Sequence, residues 1–468
     1  MFKSISLYLG IFSVLISFFS FLNILYSYYF EFYLNLNAYI YTLVVSLFFG
    51  VFFLLIKKKN IDKISLYEKL IVVFFGFLFF PLLISIPYYF SIYNLTFINS
   101  YFESISGFTS TGFTIFNDIK ILDESIILWR STSQWLGGLH FLFSLILVID
   151  VFDIKLKNII SSFISINIYE IKKQFLKIFI LYSFLTLIIF ILLNLFELRF
   201  FDSLNLSMSI ISSGGFVPAN NISDIIITKN QYFITSLAML MSYFSIFLSY
   251  NLISLKKSVN LYQEDILLLF YLIFLICITY IFFTGQFNYH LIFFYLASSI
   301  SGIGFAPTNS ANDFAIFFLF ITIIGGGFFS TSSGAKFIKI YILIRFSFSE
   351  LISNVRPKLI FNTRLLFSNL KIPTTEINKY FLSFVFIIIS IFALSCFLSF
   401  NDVSFNESLT LSILTISNTV NSSIYDLAFF NFFLLNDFSK IVLISFMILG
   451  RVELLRLLIL FRKLFLKN

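Results

Sequence analysis

The stretch Phe102–Phe113 reads FESISGFTSTGF, and its reading decides the fold of this chain. Long apolar runs flank it at 66–93 and 124–151. Its own residues are mostly small, hydroxyl-bearing or glycine, which is too polar for a surface facing lipid. Non-helical backbone at membrane depth is tolerated only where protein buries it or where it lines a water-filled cavity. The stretch therefore reads as a re-entrant loop presenting backbone oxygens to something that crosses the membrane.

Composition supports the membrane half of that statement. Of 468 residues, 59% are hydrophobic and 12% charged, whereas soluble domains carry about 25% charged residues. The 71 phenylalanines read as a composition bias rather than a need for aromatics, because core and lipid-facing positions accept other apolar residues of similar size. Cys277, Cys396, His140 and His290 stand alone in apolar surroundings. The lack of metal-ligand spacing and of a Cys–His pair weighs against an intramembrane metalloprotease or a redox enzyme. Met1-Phe2-Lys3 followed by apolar Ile5 to Tyr26 imitates a signal peptide. The run exceeds the about 7–15 residues of such a segment and no small-residue cleavage site follows, so it is expected to be the first membrane helix.

A spanning helix needs about 20 apolar residues. Runs of that kind fall at 5–28, 38–56, 66–93, 124–151, 174–196, 231–254, 264–284, 312–345, 379–400 and 438–464. The expected fold class is therefore an all-α polytopic membrane protein with about ten transmembrane helices. The net charge of +8 is read as topology rather than as nucleic-acid binding. With a cytoplasmic N-terminus, the inner connections hold Lys57 to Lys59, Lys63, Lys155, Lys157, Lys172, Lys173, Lys256, Lys257, Arg345, Arg356, Lys358, Arg364 and Lys371. Both termini are then cytoplasmic, and the outer side keeps only Lys120, Arg130, Arg199, Lys229 and Lys440. That is a strong positive-inside bias. Glu103, Asp118, Asp123, Glu124, Asp202, Asp224, Asp313, Asp402, Glu407, Asp426 and Asp437 map outside, where acidic residues concentrate cations.

The bias also puts four polar segments on the outer side, and they repeat. Ser106, Thr109 and Gly112 correspond to Ser209, Ser212 and Gly215, then to Ser298, Ser301 and Gly304, then to Thr415, Asn418 and Asn421. The second and third copies share Gly-Phe-x-Pro-x-Asn from Gly215 and from Gly304. One such segment alone would be explained by helix packing through small residues; four at equivalent places are not. Rings of backbone carbonyls replace the hydration shell of an ion, and glycine reaches the conformations that aim successive carbonyls at one axis. The expected metal site is thus a four-loop, pseudo-fourfold cation filter. It comprises Thr109, Ser110, Thr111 and Gly112; Ser212, Ser213, Gly214 and Gly215; Ser301, Gly302, Ile303 and Gly304; and Asn418, Thr419, Val420 and Asn421.

With TSTGF in the first loop, Trp129–Phe143 (WRSTSQWLGGLHFLF), Gly325–Ile340 (GGGFFSTSSGAKFIKI) and Ser439–Leu455 (SKIVLISFMILGRVELL), the chain resembles the Trk/Ktr/HKT superfamily of potassium transporters, most of all its TrkH branch. The resemblance covers nearly the whole chain. It implies two extra N-terminal helices (1–60) and four helix–pore loop–helix units at 61–155, 156–258, 259–372 and 373–468. Glycine weakens a helix by about 1 kcal/mol against alanine, so Gly325, Gly326, Gly327 and Gly334, with Ser330, Thr331, Ser332, Ser333 and Lys336, are expected to break the eighth run. The resemblance makes that break an intramembrane gate. Arg451 lies in the last apolar run; an ionised residue there costs at least about 2.5 kcal/mol and usually faces an interior, or else snorkels to the interface. In the resembling family this arginine projects into the permeation path. Glu453, Lys336 or loop carbonyls are its expected partners.

Three positions depart from the family pattern: Asn421 at a filter glycine, Gly302 at a usual threonine, and His140 after WLGGL. The reading that results is potassium uptake across the cytoplasmic (inner) membrane, with potassium transported and no cofactor. The alternatives are a sodium-conducting or poorly selective transporter of the same fold, or a non-conducting membrane enzyme or scaffold. The resemblance further implies a homodimer and a cytosolic, TrkA-like ring of nucleotide-binding regulatory subunits, with the basic stretch 345–371 as a docking surface. GGGFF and WLGGL lack the strand–glycine–helix context of a phosphate loop. In this register, Asn421→Gly is expected to sharpen selectivity for potassium over sodium in a cation-competition uptake assay.

Overall fold

A computed structural model of the protein describes residues 2–56, 66–152, 171–246, 248, 263–283, 288–307, 314–355 and 374–452. The described residues form fifteen α-helices and no strand. Two N-terminal helices, α1 (Phe2–Tyr29) and α2 (Leu36–Ile56), come first. Then a pattern of long helix, short helix, long helix repeats four times. The first unit is α3 (Leu66–Phe90), α4 (Phe97–Phe108) and α5 (Glu124–Phe152). The second is α6 (Ile171–Leu195), α7 (Phe200–Ile211) and α8 (Lys229–Tyr243). The third is α9 (Gln263–Phe283), α10 (Tyr289–Ser301) and a last helix in two pieces, α11 (Ala315–Ile324) and α12 (Phe337–Val355). The fourth is α13 (Thr374–Ser399), α14 (Phe405–Ile416) and α15 (Asp437–Val452). The boundaries expected between units, at 60, 155, 258 and 372, lie outside the described residues.

Seven of the ten expected spans are helices long and apolar enough to cross a membrane, so the chain is a multi-pass membrane protein. The other three differ. The sixth leaves its helix after Tyr243 rather than continuing to 254, the eighth is broken between Ile324 and Phe337, and the tenth is described only to Val452. The four short helices have 12 or 13 residues. At 1.5 Å per residue they reach only about 20 Å, short of the about 30 Å hydrocarbon core. They therefore end inside the protein, and their C-terminal halves are buried.

Packing arranges the units in a circle. The last helix of each unit lies on the short helix of the next: α5 on α7, α8 on α10, α11 on α14 and, closing the ring, α15 on α4. Loops from the first and third units therefore face each other across the axis, as do those from the second and fourth. Outside this ring α1 and α2 pack on each other and against α3. The inner face of α2 is Ala38, Tyr39, Thr42, Ser46 and Gly50, while Val44, Leu47, Phe48, Val51, Phe52 and Leu55 are exposed. Apart from Tyr39, small residues inside and large apolar ones outside suit helix packing in lipid, where close backbone approach replaces hydrophobic drive. A Cβ at Gly50 would lie 2.8 Å from Val14 Cγ2 and 3.2 Å from its backbone nitrogen. Gly50→Leu is expected to cost about 1–3 kcal/mol by overpacking, seen as a lower Tm in detergent, with Gly50→Ala between it and the parent protein.

Candidate functional site

The four short helices end in the same turn. Its first residue is Thr109, Ser212, Ser301 or Ser417, and its second is Ser110 (φ 58°), Ser213 (φ 54°), Gly302 (φ 73°) or Asn418 (φ 46°), all left-handed. The N–H of the second residue donates to the carbonyl three residues back, from Ser110 to Gly107 (2.9 Å), Ser213 to Ile210 (3.0 Å), Gly302 to Ser299 (3.2 Å) and Asn418 to Thr415 (3.2 Å). The N–H of the third donates five residues back: Thr111 to Ser106 (2.9 Å), Gly214 to Ser209 (2.8 Å), Ile303 to Ser298 (3.1 Å) and Thr419 to Leu414 (3.0 Å). Non-glycine residues in left-handed backbone are uncommon, so three of them beside Gly302 at one position mark a single repeated device.

This register corrects the one read from residue types. Residue types match Thr415, Asn418 and Asn421 to Ser106, Thr109 and Gly112, but the hydrogen bonds match Leu414, Ser417 and Val420. The fourth loop of the ring is Ser417–Val420. Asn421 lies one residue beyond, where its amide donates to Leu427 O at 3.0 Å. The residue types mislead because Ser106, Ser209 and Ser298 each bond forward, to the carbonyls of Phe113 (2.6 Å), Gly214 (3.0 Å) and Phe305 (2.8 Å). Leu414 cannot. The fourth loop is held instead by the Asn418 amide, which donates to Thr111 Oγ1 (3.0 Å) and Met447 O (2.9 Å). Asn421→Gly thus alters a residue beside the ring, and Val420 is the residue that stands where the other three loops have glycine. Gly137 on α5 and Gly450 on α15 report the same register, since each packs directly on the last carbonyl of its own unit's short helix, at Phe108 and Ile416.

Behind the first loop sits an ion pair. Glu103 and Arg130, both at most 1% exposed, meet at 2.9 Å. Glu103 also accepts from the Ile115 N–H (2.8 Å) and Thr114 Oγ1 (3.1 Å), while Arg130 lies over the Phe216 ring at 4.1 Å. The charge pattern assigns both residues to the outer surface, Glu103 within an acidic funnel. Both are buried; Arg130 lines the cavity above the loops with Gly112 and Asn220, and Glu103 does not. Other acidic residues of that face are paired: Asp224 with Lys120 (3.2 Å) and Glu124 with Arg199. Gln134 braces the second loop; with its amide donating to Ser209 Oγ, its oxygen accepts from the N–H groups of Gly215 (3.1 Å) and Phe216 (3.0 Å).

Below the ring lie the expected gate residues. The chain leaves the helix at Gly325 (φ 68°) and rejoins it after Lys336 (φ 70°). Lys336 Nζ gathers the loop from inside, donating to the carbonyls of Gly327 (3.1 Å), Ser330 (3.2 Å) and Ser332. The Gly327 N–H donates to Tyr243 O (3.0 Å), the Phe328 N–H to Glu264 (2.6 Å) and the Ile246 N–H to Phe329 O (3.1 Å). Thr331 touches Ser213 at 3.1 Å. Arg451 is buried at the junction, 3.9 Å from the centre of the Phe141 ring, and donates to Ser333 Oγ, Ser110 Oγ (3.4 Å) and the Ser212 carbonyl (3.4 Å). Of its expected partners, a loop carbonyl is present, Lys336 is engaged with its own loop, and Glu453 lies outside the described residues; the Ser333 and Ser110 hydroxyls are partners the sequence did not suggest. His140 is packed away from all this among Tyr8, Phe77, Phe80 and Phe108.

Sequence reasoning missed the pairing of Glu103 with Arg130, and it missed Gln134, Phe141 and Glu264. A signal existed for the pair: a lone acid in a short helix and a lone base inside an apolar run.

No family model matches the chain. It is 27% identical over 435 residues, 86% of each chain, to the Trk system potassium uptake protein TrkG of Escherichia coli. It is 31% identical over 199 residues to an uncharacterized cation transporter of Methanocaldococcus jannaschii, spanning 40% of that relative's length. Over 59 residues, 11% of that protein, it is 41% identical to the Trk system potassium uptake protein TrkI of Halomonas elongata. The crystal structure of the potassium transporter TrkH from Vibrio parahaemolyticus superposes with a TM-score of 0.84 at 20% identity, covering 98% of both chains. These relatives are transporters rather than enzymes by their names.

Removing one partner of a buried ion pair costs about 3–5 kcal/mol. Glu103→Gln is therefore expected to lower the Tm markedly, and adding Arg130→Met to it to recover part of the loss in the same thermal scan.

Proposed function

We propose that this chain, a homologue of the Trk potassium uptake proteins, carries potassium inward across the cytoplasmic membrane through the axis of its four loops. The observation that carries the reading is the left-handed second residue in all four loops, with φ between 46° and 73°. Fourfold repetition of one backbone turn about one axis gives rings of equivalent carbonyls, and such rings substitute for the water around an ion. The short helices add to this, since each points its negative end at the loops.

In this reading an ion enters from the outer cavity, whose lining includes Gly112, Phe216, Asn220, Gly304, Asn421 and Ser422. The ion sheds water as it meets the loop carbonyls. Beneath them the Arg451 guanidinium and the loop 325–336 form the inner barrier. A fixed positive charge touching Ser110 and Ser212 opposes an arriving cation until it moves, and Ser333 ties that movement to the loop. The membrane potential supplies about 2.3 kcal/mol per charge per 100 mV. The proposal extends to cytoplasmic termini, a homodimer and a cytosolic nucleotide-binding regulatory ring, for which the family resemblance is the support. The basic segment 345–371 offered to that ring is described only as far as Val355.

A second reading, a poorly selective monovalent cation transporter of the same fold, is favoured by one observation: the fourth position of the loops carries three glycines and a valine. Rubidium uptake in cells lacking their own potassium systems, with sodium as competitor, separates the two. Potassium selectivity predicts that excess sodium leaves rubidium uptake nearly unchanged. Gly112→Asp and Gly215→Asp are each expected to abolish uptake at unchanged membrane expression, and undiminished uptake in either would sink the pore reading.

A further inference from the structure

We infer that Val420 is the constriction that limits flux through this pore. The inference rests on the pore reading above and adds a residue to it. At the fourth loop position Gly112, Gly215 and Gly304 meet Val420. A Cβ at Gly112 would lie 2.7 Å from Gly215 Cα and 3.0 Å from Val420 Cβ, and one at Gly304 would lie 2.7 Å from the Val420 carbonyl oxygen and 2.9 Å from its Cγ1. A Cβ at Gly215 would overlap the Val420 side chain itself. The circular order of the units makes Gly215 the residue opposite Val420, so the valine reaches across the axis and closes on the far backbone. It is half-buried and lines the outer cavity, so it forms part of that cavity's floor.

Backbone geometry separates this ring from the one beneath it. At the second position all four residues are left-handed, whereas at the fourth only Gly112 and Gly304 are, both at φ 86°. Gly215 and Val420 are not. The peptides of one diagonal are turned differently from those of the other, so this ring is twofold and lacks four equivalent carbonyls. An ion crossing it must displace an apolar side chain whose χ1 is stiff because the residue is β-branched. That obstacle is steric. It slows every monovalent cation and leaves discrimination to the rings below.

Initial rates of rubidium and of sodium uptake in the parent protein, Val420→Gly, Val420→Ala and Val420→Leu test this. Val420→Gly is expected to raise both rates by about tenfold, equivalent to about 1.4 kcal/mol of barrier, with Val420→Ala between and Val420→Leu below the parent. Equal rates in the parent and Val420→Gly would overturn the inference while leaving the transport reading intact. A rise for one ion alone would overturn the steric account. Placement is tested without transport by Val420→Cys in a background of Cys277→Ala and Cys396→Ala. Modification of that cysteine by a membrane-impermeant thiol reagent added outside supports the constriction, and failure to react in folded protein removes it.

Discussion

Backbone that leaves the helix inside a membrane must satisfy its own N–H groups, and the structure depends on how four loops meet that constraint. Each turns through one left-handed residue, directing the N–H of the second position three residues back and that of the third five back. Buried donors paired in this way avoid the cost of an orphaned polar group. The pairing comes from the short helix preceding each loop, so no water and no second strand are needed. Ser110, Ser213 and Asn418 accept the strained conformation, and their surroundings hold them there.

Everything around the loops serves their position. Glu103 and Arg130 form a buried pair that fixes the first loop through Ile115 and Thr114. Such a pair is weak evidence of stability by itself, because desolvation offsets much of its attraction. Its geometry, bonded on several sides, is what specifies one arrangement. Beneath, Lys336 and Arg451 are cations buried in protein over the face of Phe141, the first balanced by loop carbonyls and the second by hydroxyls and the Ser212 carbonyl. Lys336 holds the segment 325–336 together, and Arg451 ties it through Ser333 to Ser110 and Ser212, which couples the break in the eighth apolar run to the loops above it.

Much of this is legible in the sequence. The apolar runs locate the helices, and the Ser/Thr/Gly segments between them locate the four loops, because lipid permits few other solutions. Gly325–Gly327 marks the broken helix, and Arg451 stands out as a charge in an apolar run. The register of the fourth loop is not legible. Matching by residue type puts Asn421 at the glycine position, since Thr415 resembles a serine and Leu414 does not. Hydrogen bonding makes Leu414 the acceptor and Val420 the ring residue.

A polytopic helical membrane protein with four repeated polar loops follows from the chain alone, because hydropathy and polarity are local properties. Which residues meet at the axis follows from packing. The circular arrangement of the units, which no local pattern encodes, sets Val420 opposite Gly215, and packing of α4 on α5 within the first unit brings Glu103 to Arg130 from 27 residues away. FESISGFTSTGF announces a ring. Its narrowest point lies in the loop that resembles it least.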